Sequence, residues 1–89
     1  MKKPCLRITY FHGNVVAAYY SLPRDSRAPS VRTRRADPGL VIDFAADDQP
    51  LGIEITEPER LTLEGFSAAR AELGLEPVPE AELGPLLAA

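Results

Sequence analysis

Apolar and polar positions alternate near the start of the chain, where Leu6, Ile8 and Tyr10 are separated by Arg7 and Thr9. A period of two predicts a half-buried strand. His12-Gly13-Asn14 follows, short and tolerant of positive φ, and predicts a tight hairpin turn. A second strand over residues 15–22 sets Ala18, Tyr20 and Leu22 on one face, with Ala17 and Tyr19 on the other. Both faces are fairly apolar, which predicts a central strand or one covered on two sides. Residues 23–29 form a polar break. Residues 30–36 predict a strand with Val31 and Thr33 on one side and Arg32 and Arg34 on the other. So charged a strand suits the edge of a sheet.

The clearest pattern comes next. Asp37-Pro38-Gly39 is a turn, and Leu40, Ile42 and Phe44 then alternate with Val41 and Asp43. Leu51, Ile53 and Ile55 repeat the spacing beyond an acidic turn. A two-residue loop at Asp47-Asp48 predicts Phe44 opposite Leu51, Ile42 opposite Ile53, Asp43 opposite Gly52 and Val41 opposite Glu54. Asp48 is an awkward second loop residue, because it lacks the freedom of glycine at positive φ.

Beyond Glu57-Pro58-Glu59-Arg60 the period changes. Thr62 is a candidate N-cap, Leu63, Phe66, Ala69, Arg70 and Leu73 follow helical spacing, and Gly74 supplies a stop. Glu64 sits where the helix dipole favours an anion. Pro77-Val78-Pro79 predicts a stiff connector. Residues 80–88 predict a short second helix carrying Leu83, Leu86 and Leu87, interrupted at Gly84-Pro85. The expected fold is therefore α+β: an antiparallel β-meander of four or five strands packed on one face by a C-terminal helix. Residues 1–56 would form the meander and residues 57–89 the helical tail of one domain. The other sheet face, with Tyr19 and Val41, is expected to be apolar and free for a partner.

Length and composition fit this reading. A chain of 89 residues with 45% hydrophobic content suits one globular domain with a modest core. Cys5, the only cysteine, can form neither an internal disulfide nor a multi-cysteine metal site. No apolar run predicts a membrane helix or a signal peptide, so the expectation is a cytoplasmic protein without membrane partners. The net charge of −3 hides a division. Residues 1–35 hold eight bases and one acid, whereas residues 36–89 hold two bases and twelve acids. Such blocks suit a nucleic-acid surface, mutual attraction within the chain, or attraction between copies.

Several of these segments resemble domain-of-unknown-function family 2283, a group of small bacterial and phage-borne proteins. Ile8-Thr9-Tyr10 matches a first strand ending in tyrosine. Val16-Ala17-Ala18-Tyr19, followed by Tyr20-Ser21-Leu22, loosely matches a second strand of aspartate-alanine-leucine-tyrosine type. Asp43, Asp47 and Gly52-Ile53-Glu54-Ile55 match the acidic hairpin. The similarity covers about residues 6–56. Val16 replaces a frequent aspartate and Asp48 the turn glycine, so a role carried by that aspartate does not transfer. The resemblance implies an antitoxin-like partner role.

The residues themselves do not assemble a catalytic constellation. His12 reads as a histidine in an exposed turn rather than a general base, and one histidine is too few for an ordinary zinc site. Cys5 reads as a strand residue. Asp43 and Glu54 are diagonal neighbours that could hold a cation or exchange a proton, but they read more simply as solvated positions or partners for arginine. No glycine-rich phosphate loop or nucleophile elbow is present. Tyr19 and Tyr20 must point to opposite faces, so one packs in the core and the other can anchor an interface. The expected function is a non-enzymatic protein-interaction module, self-associating or bound to another small protein. It would use Tyr19, Val41, Arg32, Arg34, Asp43 and Glu54, with no cofactor or metal. The alternative is a nucleic-acid-binding regulator using the arginines of residues 24–35. A small enzyme or ligand-binding protein using Asp43, Glu54 or His12 is the third reading.

Overall fold

The computed structural model describes residues 5–22, 29–37, 39–76, 83, 84 and 86. Five strands form one antiparallel sheet: β1 (Cys5–Phe11), β2 (Asn14–Ser21), β3 (Arg32–Asp37), β4 (Leu40–Phe44) and β5 (Pro50–Ile55). A 3₁₀ turn at Pro58–Arg60 leads to α1 (Leu63–Glu72). The α+β fold is thus a five-stranded antiparallel sheet with a C-terminal helix on one face. No helix among the described residues is long and apolar enough to cross a membrane.

The strand order is β1-β2-β5-β4-β3. Consecutive strands pair except at one place: β5, not β3, lies beside β2. Ala18 faces Ile55 and Tyr20 faces Ile53 across this central pair. The register therefore stacks these buried residues on one side of the sheet. β3, with its three arginines, is consequently displaced to an edge.

The first turn follows the sequence. His12 and Gly13 both take positive φ, 51° and 82°, as a type I′ hairpin requires. Phe11 then pairs with Asn14. A bulge adds Val16 to β2, so that Tyr10 pairs with Val15 while Thr9 pairs with Ala17. The extra residue shifts the parity and brings Val15 against the core. Tyr10, expected to be half-buried beside Leu6 and Ile8, is instead 59% exposed. It lies past the reach of the apolar residues that half-cover its two neighbours.

The acidic hairpin departs from expectation in one detail. Ile42 faces Ile53, Asp43 faces Gly52 and Val41 faces Glu54, but Phe44 faces Pro50 rather than Leu51. The connection is longer than two residues. The Asp48 N–H donates to the Ala45 carbonyl at 2.9 Å, and the Ala45 N–H donates to the Gln49 carbonyl at 3.0 Å. Asp48 alone takes positive φ, at 65°. A two-residue type I′ loop would place two aspartates there, which is costlier than one. The Asp47 carboxylate accepts from the Gln49 N–H at 3.1 Å and holds the turn.

The core lies between the sheet and α1. Tyr20, Ile42, Ile53, Ile55 and Phe66 are buried, and the Tyr20 and Phe66 rings meet edge to face at 5.1 Å. Arg70 donates to the buried Tyr20 hydroxyl at 3.2 Å, giving a polar atom a partner at the core margin. The Thr62 side chain caps α1 by accepting from the Gly65 N–H at 2.9 Å. Gly74, at φ 75°, closes the other end with its N–H on the Ala71 carbonyl. Leu83 and Leu86 carry helical backbone and are buried in the same core. The rest of the expected second helix, and the Pro77-Val78-Pro79 connector, lie outside the described residues.

Two substitutions check this ordering of forces by urea denaturation. Phe66→Ala is expected to cost about 3–5 kcal/mol, since it empties a fully buried site. Thr62→Ala is expected to cost about 1 kcal/mol, the worth of one exposed cap. Equal costs would contradict a fold held mainly by the packing under α1.

Candidate functional site

The side of the sheet away from α1 carries four of the six residues expected to bind a partner. Strand pairing sets Arg7 beside Tyr19, Tyr19 beside Glu54, Glu54 beside Val41 and Val41 beside Arg35. Asp43 sits one step along, between Gly52 and Thr33. The expected apolar surface is not there. Ala17, Tyr19 and Val41 are half-buried and interrupted by Ser21, Gly52, Asp43 and Glu54. The polar residues at alternate positions of β4 and β5 account for this, because the apolar partners of each strand already face α1.

Arg32 and Arg34 are not part of this surface. They belong to the α1 side of β3, where their register partners are Phe44 and Ile42. The Arg32 guanidinium lies 4.2 Å from the centre of the Phe44 ring and donates to Asp48 at 2.9 Å. Arg34 reaches Glu72 of α1 at 3.4 Å. The two arginines thus roof the exposed margin of the core, their stems and charges used within the chain. Arg24 and Arg27 lie outside the described residues.

Tyr19 organises the uncovered face. Its ring passes over Gly52 on the intervening strand, and its hydroxyl donates to Asp43 Oδ2 at 2.9 Å. A Cβ on Gly52 would come within 2.5 Å of the Tyr19 ring and hydroxyl. Gly52 is therefore a gap filled by an aromatic neighbour. The sequence reading placed Asp43 opposite Gly52 but missed the tyrosine between them. The available signal was a glycine inside an otherwise apolar strand, which marks close approach by another group.

This packing changes the chemistry of the tyrosine. Partial burial, then the hydrogen bond to Asp43, then the charges of Asp43 and Glu54 together hold the Tyr19 hydroxyl well above the ordinary tyrosine range, with Arg7 opposing them. The group is a neutral donor at physiological pH, not a nucleophile. Asp43 and Glu54 are diagonal neighbours across β4 and β5, with the Tyr19 hydroxyl donating to Asp43, and no cluster of three metal-ligating side chains occurs among the described residues. Arg7, Thr9, Ala17, Tyr19 and Glu54 rim an open depression of about 300 Å³. Being open to water, it lacks the enclosure typical of a small-molecule pocket. His12 is exposed in the first turn, stacked edge-on against Phe11 at 4.2 Å, and Cys5 is half-buried with a free thiol.

Comparison with protein-family models, curated proteins and solved structures finds no match to this chain.

Two outcomes test the Tyr19–Gly52–Asp43 arrangement. Gly52→Ala should push the ring aside and destabilise the wild type by about 1 kcal/mol, the scale of one hydrogen bond. In a Tyr19→Ala background the same change should be neutral or stabilising, because strand alanine is less costly than glycine. Equal effects in both backgrounds would remove the proposed contact. The second outcome concerns pH. The folded value stands above the unfolded one, so this stabilisation is complete below about pH 10, where free tyrosine begins to ionise. It is lost as pH rises from there through the folded value. A carbon-13 NMR titration of the Tyr19 ring should therefore show no midpoint near 10.

Proposed function

We propose that the chain is a non-enzymatic protein-interaction module that self-associates. One observation carries this reading. Among the described residues the large apolar side chains left in water are Tyr10, Phe11, Val16 and Val31, and the first three share the β1–β2 hairpin. Tyr10 and Phe11 are 59% and 63% exposed. Scattered exposed apolar residues are ordinary, but two large rings at the end of an edge strand, Tyr10 on the α1 side and Phe11 on the other, suit association along that edge. The neighbouring uncovered face adds Tyr19, held in one orientation by Asp43 and so able to meet a partner at low entropic cost. Val41 and Glu54 lie next to it on the same platform. The antitoxin-like role implied by the family resemblance is the same proposal with a different protein in the partner position.

A nucleic-acid role for residues 24–35 has weaker support. Arg32 and Arg34 are engaged by Asp48, Glu72 and Phe44, so binding phosphate would first break those contacts.

Static light scattering across a concentration series tests the reading. A mass above that of a single chain, rising with concentration, is expected. A single-chain mass throughout, together with retardation of DNA or RNA at low salt, would replace it with the nucleic-acid alternative.

A further inference from the structure

Resting on the self-association proposed above, we infer that two copies of the chain pair antiparallel through β1, with the twofold axis at Ile8. The direction of the β1 backbone groups follows from the first turn. In a type I′ hairpin the residues flanking the loop exchange hydrogen bonds, so Phe11 directs its N–H and C=O toward Asn14. The bulge inserts its extra residue into β2, leaving β1 to alternate without interruption. Thr9 and Arg7 therefore also face β2 with their backbone groups. Those of Leu6, Ile8 and Tyr10 point outward. β1 ends the sheet, and no described residue hydrogen-bonds to that outer edge.

An Ile8-centred pairing uses these outward groups. Ile8 exchanges bonds with Ile8 of the other copy, and Leu6 with Tyr10. The non-bonded positions set Arg7 opposite Thr9, so no like charges meet. Centring the axis one residue earlier would set Arg7 against Arg7 at the closest side-chain spacing, which is unfavourable. The side chains agree with the backbone. Leu6 and Ile8 are half-buried at the margin of the core on the α1 side, and Tyr10 follows them on the same face of β1. Pairing lays Leu6, Ile8 and Tyr10 of the two copies along one seam and covers the exposed Tyr10 ring.

The chemistry of the edges also selects the occupant. β3, at the other edge, carries Arg32, Arg34 and Arg35. Joining β1 to β3 would bring Arg7 toward that basic strand, and joining β3 to β3 would oppose arginines directly. β1 has one charge and no proline within Cys5–Phe11. A second copy of β1 is thus the matched strand, and an isologous pair closes without propagating into a fibre. In this pair the two Tyr19 faces lie on the same side of one continuous sheet.

Amide hydrogen exchange on the full chain, at dilute and concentrated protein, tests the pairing. On concentration, the amides of Leu6, Ile8 and Tyr10 should gain protection. Those of Arg7 and Thr9 should be protected at both concentrations. Tyr10→Lys and Tyr10→Pro should each raise the dimer dissociation constant at least about tenfold, because one places charge in the seam and the other removes an outward donor. Neither change touches a β1–β2 hydrogen bond. A dimer that survives both substitutions, with Ile8 and Tyr10 exchanging at the same rate at both concentrations, overturns the β1 seam and leaves self-association standing. A monomer at every concentration overturns both.

Discussion

The register between β2 and β5 is the constraint on which the rest of the molecule depends. It joins the N-terminal hairpin to the three-stranded unit formed by β3, β4 and β5. With Tyr20 opposite Ile53 and Ala18 opposite Ile55, both halves contribute their apolar rows to the side covered by α1. The same register sets Tyr19 next to Glu54 and one step from Gly52, so its ring can cross the glycine and reach Asp43. A slip of one residue would turn Tyr20 to the uncovered face and drive Tyr19 under the helix. Core and platform are therefore two consequences of one alignment.

Local chemistry was legible in the sequence. His12 and Gly13 announce a turn because both must take positive φ, and Thr62 and Gly74 bracket a helix because each satisfies its unpaired backbone groups. The pairings of Ile42 with Ile53 and Asp43 with Gly52 follow from matching apolar alternation across a short connection. The neighbour of β2 was not legible. Strand adjacency across the chain is decided by which apolar rows can share one helix, and a single sequence does not rank those arrangements. The direction of Arg32 and Arg34 was missed for a related reason. Charge alone suggests a solvated side of an edge strand, yet their long stems can cover Phe44 while their heads reach Asp48 and Glu72.

The division of charge along the chain now has a partial physical meaning. Bases from the first segment meet acids from the second in Arg32–Asp48 and Arg34–Glu72, each linking β3 to a later element. Both pairs are substantially exposed, so each is worth about 0–1 kcal/mol. They cannot be the source of the fold's stability. Their effect is better understood as orientation: β3 lacks large apolar side chains of its own, and pairing with the β4–β5 turn and α1 fixes it against the sheet. Arg7 is different, because it sits beside Tyr19 on the uncovered face and its field partly offsets those of Asp43 and Glu54.

The two edges of the sheet show how the same limitation is handled in opposite ways. A chain of 89 residues has a small core, and that core thins toward each outer strand. At β3 the margin is closed by guanidinium groups lying over Phe44, which also repel another strand. At β1 the marginal residues are Leu6 and Ile8, half-buried, with Tyr10 beyond them in water. Within Cys5–Phe11 the one charge is Arg7, and it belongs to the other face. Leu6 and Ile8 are only half-buried in the described structure, whereas Phe44 is buried. An edge whose backbone donors and apolar margin are both unfinished gains from a partner on two counts, ladder hydrogen bonds and buried area. The basic edge offers ladder groups as well, but there an incoming strand would meet three arginines and disturb side-chain contacts already made.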